Sequence, residues 1–249
     1  MSVTFYILLI AITILGGALA WLIKINNRKS TLTILLSFSG AYLLGINLTH
    51  ILPIIYENDE SHVLGVFVLL GFVIQLFLDQ LSKGIEHGHL HYQVGGKNKF
   101  LSLAPIIIGL SLHAFMEGLP LGYSDELDHV HHHHHDHSGQ HIFWGILLHK
   151  VPAAFVLVIL LREVYEKALY PILFLLFFAL MSPLGAFLSQ TIDFSWTWAS
   201  RLLAIVGGSL LHVSTVILFE MDNSNEHKIS LLKLIFIFIG FGLSLLSIL

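Results

Sequence analysis

Cysteine is absent from the chain. That excludes a disulfide framework and a thiolate metal or redox site, and leaves histidine, carboxylate, amide or hydroxyl to hold any metal. Charge is scarce too: Asp, Glu, Lys and Arg make up only 11% of the 249 residues, far below the roughly 25% of a soluble domain. No basic patch with interleaved aromatics occurs, so a nucleic-acid partner is not expected. The His-Glu-x-x-His helix motif of zinc metalloproteases is missing. The first apolar run has no basic n-region and is too long for a simple signal-peptide core, so a membrane span is expected there instead.

What the chain has instead is hydrophobic sequence, gathered into eight runs centred on Val3–Ile23, Leu32–Ile55, Val63–Leu81, Leu101–Gly122, Ile142–Leu161, Ala168–Gln190, Leu202–Phe219 and Ile229–Leu249. A membrane helix needs roughly 20 mostly apolar residues. Backbone groups in lipid must be satisfied within each segment, so the runs predict an all-α integral membrane bundle. Little chain is left between them, and residues 1–249 are expected to form a single transmembrane domain.

The short connections predict an orientation. Lys24, Arg28, Lys29, Lys83, Lys97, Lys99, Arg162, Lys167, Lys228 and Lys233 all fall on one side if the helices alternate. The other side has Arg201 alone among Glu57, Asp59, Glu60, Asp125, Glu126, Asp128, Asp136 and Asp193. Basic loops stay in the cytoplasm, so both termini are expected outside it.

Histidine is concentrated in two connections. Residues 83–100 form a cytoplasmic loop with His87, His89 and His91, and residues 123–141 form an outer His/Asp-rich loop with His129, His131, His132, His133, His134, His135, His137 and His141. Imidazole with carboxylate suits divalent transition metals. The outer run reads as a metal-collecting segment of weak, interchangeable sites; a flexible polar loop without a specific role is the plainer alternative.

Ionisable groups inside the membrane are costly and usually functional. In "LSLHAFMEGLPLGY", His113 and Glu117 are four apart and share one helix face, with Gly118 and Pro120 following where the helix can bend. The next run carries His149 and Lys150 before Pro152. Counted from the outer ends of their helices, His113 and His149 lie at similar depth, so antiparallel neighbours can bring His113, Glu117 and His149 together as a transition-metal site. A His–Glu pair that merely ties two helices is the alternative. Lys150 has two readings: a partner for Glu117, or a side chain directed to a water-filled vestibule or snorkelling outward. His50, before Pro53, and His212 are expected chiefly as helix–helix hydrogen-bonding groups, and Asp79 sits near the cytoplasmic end of its run.

These motifs carry a resemblance. "HAFMEG" resembles the His-Asn-x-x-Asp/Glu-Gly signature of the ZIP (Zrt/Irt-like) metal transporters, and "HKVPAA" a degenerate form of their His-Glu-x-Pro-His-Glu signature. "SFSGAYLLGINLTHILPIIYE" and "AIVGGSLLHVSTVILFE" are similar to that family's second and seventh helices. The resemblance implies an eight-helix bundle with an inverted repeat, of which "GAYLL" and "GGSLL" are a faint trace, and a homodimer in a bacterial inner (plasma) membrane surrounded by lipid. It implies secondary transport of a divalent metal into the cytoplasm rather than an enzyme activity. Zinc is the first expectation, with iron, manganese and cadmium open. A membrane-embedded zinc hydrolase and a metal sensor without transport are the rivals.

The departures from the family pattern are as informative. Ala114, Lys150, Ala153 and Ser182 stand where family members with two metals carry ligands. The resemblance therefore implies a mononuclear site on His113, Glu117 and His149, with the Lys150 ammonium in place of the second ion and Ser182, His50, His212 and Asp79 as supporting or pathway residues.

Overall fold

The protein is described from a computed structural model covering residues 2–24, 28–57, 60–85, 99–123, 138–192, 196–220 and 230–246. The described residues contain α1 (Val3–Leu22), α2 (Arg28–Ile46), α3 (Ser61–Ser82), α4 (Lys99–Gly118), α5 (Ser138–Val164), α6 (Leu169–Thr191), α7 (Trp196–Glu220) and α8 (Leu231–Leu246). All but α8 are long and apolar enough to cross a membrane. The expected all-helical membrane bundle is therefore observed among the described residues, α8 being described over Leu231–Leu246 of its longer hydrophobic run.

Two helices are irregular where the sequence runs look continuous. α2 passes into a π-helical turn at Asn47–Ile51 and then a short α-helical end at Leu52–Tyr56. The Leu52 N–H donates to the Asn47 carbonyl, five residues back, beside Pro53, which has no N–H to give. α4 tightens after Gly118 into the 3-10 segment Leu119–Tyr123, at the Gly-Leu-Pro sequence expected to bend it.

The helices pack as two groups. α1, α4, α5 and α6 form one and α2, α3, α7 and α8 the other, joined along the α2–α5 and α3–α4 contacts. α5 is the central helix: 83% of its apolar window is buried, against 28% for α1 and α3, whose remaining side chains face outward as lipid-facing surface does. Its apolar stretch from Ala153 to Leu161 fills the main core.

Several basic residues behind the predicted orientation also cap helices. The Arg162 guanidinium donates to the Ala20 carbonyl at 3.1 Å, and Lys99 Nζ donates to the Val164 carbonyl at 2.9 Å. Cations at helix C-termini satisfy the last carbonyls and complement the helix dipole. Part of the charge bias therefore has a structural use.

Helix reaches into both segments expected as loops. α5 begins at Ser138, so His141 belongs to its first turn rather than to a loop spanning residues 123–141. A helix start that carries polar residues hides its boundary from a hydropathy reading. α4 likewise begins at Lys99, inside the segment 83–100 expected as loop. His87, His89, His91, His129, His131, His132, His133, His134, His135 and His137 lie outside the described residues.

Candidate metal centre

α4 and α6 cross at van der Waals distance because glycines face each other's backbone. A Cβ at Gly118 would fall on the Ser182 carbonyl, and one at Gly185 on that of Phe115. The crossing brings Ser182 Oγ to 2.6 Å from the Ala114 carbonyl, to which it donates. Ser182 is thus an interhelical tie, and its oxygen is directed to backbone.

Beside this crossing, His113 and Glu117 on α4 meet His149 and Lys150 on α5. All four residues are 1–2% exposed. His113 Nε2 lies 3.0 Å and His149 Nε2 3.9 Å from Glu117 Oε1. One ligand atom from each of His113, Glu117 and His149 falls within 4.8 Å of the others, and no other group of three or more metal-ligating residues occurs among the described residues. Bonds of about 2.0–2.1 Å to a tetrahedral zinc put neighbouring ligand atoms about 3.4 Å apart, and the two distances to Oε1 bracket that value. Oε1 has no aligned hydrogen bond despite its short contact with Nε2. Ligand atoms whose lone pairs converge on one point have this geometry. The imidazoles stand edge to face, with centroids 5.9 Å apart at 88°.

The second carboxylate oxygen is used differently. Lys150 Nζ donates to Glu117 Oε2 at 2.7 Å, and the same ammonium lies 5.3 Å from the Phe178 ring centroid on α6. One oxygen of Glu117 therefore faces the imidazoles and the other a cation. With neutral histidines the group carries no net charge, which is what a buried cluster requires.

A residue that sequence reading passes over completes the surroundings. Gln75 on α3 is fully buried, and its Oε1 is 2.8 Å from both His113 Nδ1 and Ser209 Oγ of α7. Its only signal in the sequence is an amide within an apolar run.

Two further pairs that include histidine lie away from this centre. His50, in the π turn, is 5% exposed and its ring stacks obliquely on His141, centroids 4.7 Å apart. Thr49 Oγ1 donates its one hydrogen to the Gly45 carbonyl at 2.8 Å and so accepts from His50 Nδ1, also at 2.8 Å. A neutral His50 then keeps its lone pair on Nε2. His212 on α7 lies 3.9 Å from Asp79 Oδ2 on α3, with Phe72 edge-on to its ring.

A sequence profile of the family described as "ZIP Zinc transporter" matches residues 86–247, well over half of the chain. The chain belongs to the ZIP family. Among relatives within and around it, the Protein zntD of Dictyostelium discoideum is 30% identical over 66% of this chain and 24% of its own length. Zinc transporter ZIP9-B of Xenopus laevis is 33% identical over 54% of this chain and 43% of its own. Zinc transporter ZIP9 of Micropogonias undulatus is 31% identical over 65% and 52%. The chain thus spans between a quarter and about half of the length of these relatives. The matched region contains α4 and α5, which hold the four clustered residues.

Proposed function

We propose that this protein is a secondary transporter of divalent transition metal, zinc first, that moves the ion into the cytoplasm through one mononuclear site made by His113, Glu117 and His149. The observation that carries the reading is the convergence of three buried ligand atoms between α4 and α5. Two neutral imidazoles and one carboxylate suit zinc better than manganese, and iron and cadmium remain chemically compatible with the set. Membership of a family whose curated relatives are named zinc transporters supports the same choice.

Lys150 takes the place of a second ion. It neutralises Glu117 when the site is empty, and a divalent cation entering then adds a net charge of two in a place of low dielectric. Binding is weakened by that repulsion and release is favoured, as a carrier needs. The paired histidines His50 and His141 mark the outer approach, and His212 with Asp79 the inner one. His129, His131 to His135 and His137 collect metal outside, and His87, His89 and His91 receive it in the cytoplasm. Ser182 supports the site by fixing α6 to α4. The proposed assembly is a homodimer in a bacterial inner membrane, with lipid around the exposed faces and both termini outside the cytoplasm.

Hydrolysis is disfavoured, because a carboxylate that activates a zinc-bound water needs a free oxygen, and Oε2 of Glu117 is held by Lys150. Sensing without transport is the second reading, favoured by that same ion pair if it closes the path. Uptake into proteoliposomes loaded with a zinc-sensitive dye separates them. Wild-type protein is expected to fill the vesicles, and His113→Ala, Glu117→Gln and His149→Ala to leave them at the level of empty liposomes. Undiminished uptake by His113→Ala sinks the assigned site; binding of zinc with no uptake supports the sensor.

A further inference from the structure

We propose that Gln75 is a positioning residue that fixes the tautomer of His113 and so decides whether His113 and Glu117 act as two metal ligands or as a closed hydrogen-bonded pair. The inference rests on the reading of His113 as a ligand and deepens it.

A carbonyl oxygen only accepts hydrogen bonds. Gln75 Oε1 has two polar atoms at 2.8 Å, Ser209 Oγ and His113 Nδ1. Ser209 must donate its hydroxyl hydrogen, and His113 must carry a hydrogen on Nδ1. A neutral imidazole has one N–H, so the lone pair is on Nε2, the atom that faces Glu117 Oε1 at 3.0 Å.

The other tautomer has an obvious attraction. Nε2–H would find a carboxylate oxygen 3.0 Å away, and hydrogen bonds to charged acceptors are the stronger kind. His113 would then spend Nε2 on Glu117, and both would be lost to a metal. Gln75 opposes this from the far side of the ring. The amide is wholly buried, so water does not compete for it, and the other tautomer would set the Nδ1 lone pair against the carbonyl oxygen at 2.8 Å, an unfavourable contact between two acceptors. Ser209 holds the carbonyl end of the amide toward the ring. Metal-ligating histidines commonly donate their other N–H to such a partner, which orients the ring and raises its basicity. Here the partner comes from across the seam between the two helix groups: Gln75 and Ser209 lie on α3 and α7, His113 on α4.

The test is nitrogen NMR of metal-free protein labelled with ¹⁵N-histidine, the His113 signal being assigned by its loss in His113→Asn. A protonated Nδ1 and an unprotonated Nε2 are expected in the wild type. Gln75→Leu is expected to move the proton to Nε2 and to weaken zinc binding about 10- to 100-fold in calorimetry. Gln75→Glu, which keeps an acceptor, is expected to restore Nδ1–H and most of the affinity. A wild-type signal with the proton on Nε2 overturns the proposal, as does a Gln75→Leu protein with tautomer and affinity unchanged. If Gln75→Leu does not fold, the wild-type spectrum alone decides. Wild-type protein that shows Nδ1–H yet binds no zinc leaves Gln75 its role toward His113 and sinks the metal site instead.

Discussion

Lys150 Nζ lies 2.7 Å from Glu117 Oε2, with both side chains buried inside the bundle. The contact joins α4 to α5 at the depth where His113 and His149 converge on the other oxygen of the same carboxylate. An ion pair there is a constraint on charge as much as a tie between helices. Removing one partner of a buried pair leaves an uncompensated charge, which costs more than the pair itself was worth.

Lys150→Met is therefore expected to destabilise the metal-free protein by about 3–5 kcal/mol, because Glu117 loses its cation. Zinc can then supply the missing charge, and ligand binding to the native state raises its stability. The melting temperature of the variant should fall well below wild type without zinc and recover more steeply as zinc is added. A zinc-dependent rise no larger than that of wild type would show that Lys150 does not stand in for an ion.

Much of this arrangement is legible in the sequence. Eight apolar runs specify the helices, and the i, i+4 spacing of His113 and Glu117 places them on one face without any tertiary knowledge. His149 and Lys150 are visible because polar groups inside a membrane run need a reason. Gln75 obeys the same rule and is still missed: an amide is cheaper than a charge, and nothing in "GFVIQLFLDQ" tells which neighbour its face meets. The partners that give it meaning, His113 and Ser209, are 38 and 134 residues away. The π turn at Asn47–Ile51 is illegible for another reason. It adds one residue to a helix whose long apolar run resumes beyond Asn47, Thr49 and His50, and no sequence pattern other than Pro53 hints at it.

One metal per chain is the expected stoichiometry. Glu117 offers one oxygen to the imidazoles and has the other engaged by Lys150, and Ser182 turns its hydroxyl to the Ala114 carbonyl. Isothermal titration with zinc should saturate near one ion in a variant that lacks residues 124–137 and carries Ala in place of His87, His89 and His91, so that only the membrane site is counted. Lys150→Glu, alone or with Ser182→Glu, replaces the cation with a ligand and is expected to raise the stoichiometry to two. A value of two in that variant with Lys150 intact would contradict the role given to Lys150.

His50 and His141 are expected to act on capture rather than on the central step. Their rings are 4.7 Å apart, and Thr49 keeps the proton of His50 on Nδ1 and its lone pair on Nε2. A group that binds the ion early and lets it go contributes mostly to apparent affinity. His50→Ala should raise the KM for zinc uptake by about tenfold, the loss of about 1.4 kcal/mol of binding, with kcat close to wild type. A fall in kcat with KM unchanged would place His50 in the conformational step instead.

Orientation can be read directly because the chain has no cysteine of its own. Single substitutions give single labelling sites in an otherwise silent protein. Ser2 precedes α1, Ser61 begins α3, and Lys83 ends α3 in a left-handed cap. Lys and Arg accumulate beyond the ends of α1, α3 and α5, and such loops remain in the cytoplasm. A membrane-impermeant maleimide added to intact spheroplasts should therefore label Ser2→Cys and Ser61→Cys and leave Lys83→Cys untouched until the membrane is opened. The reverse pattern would turn the protein over. The capping of α1 and α5 by Arg162 and Lys99 would then be the main reason those cations lie on one side, and the direction proposed for metal movement would have to be reversed with it.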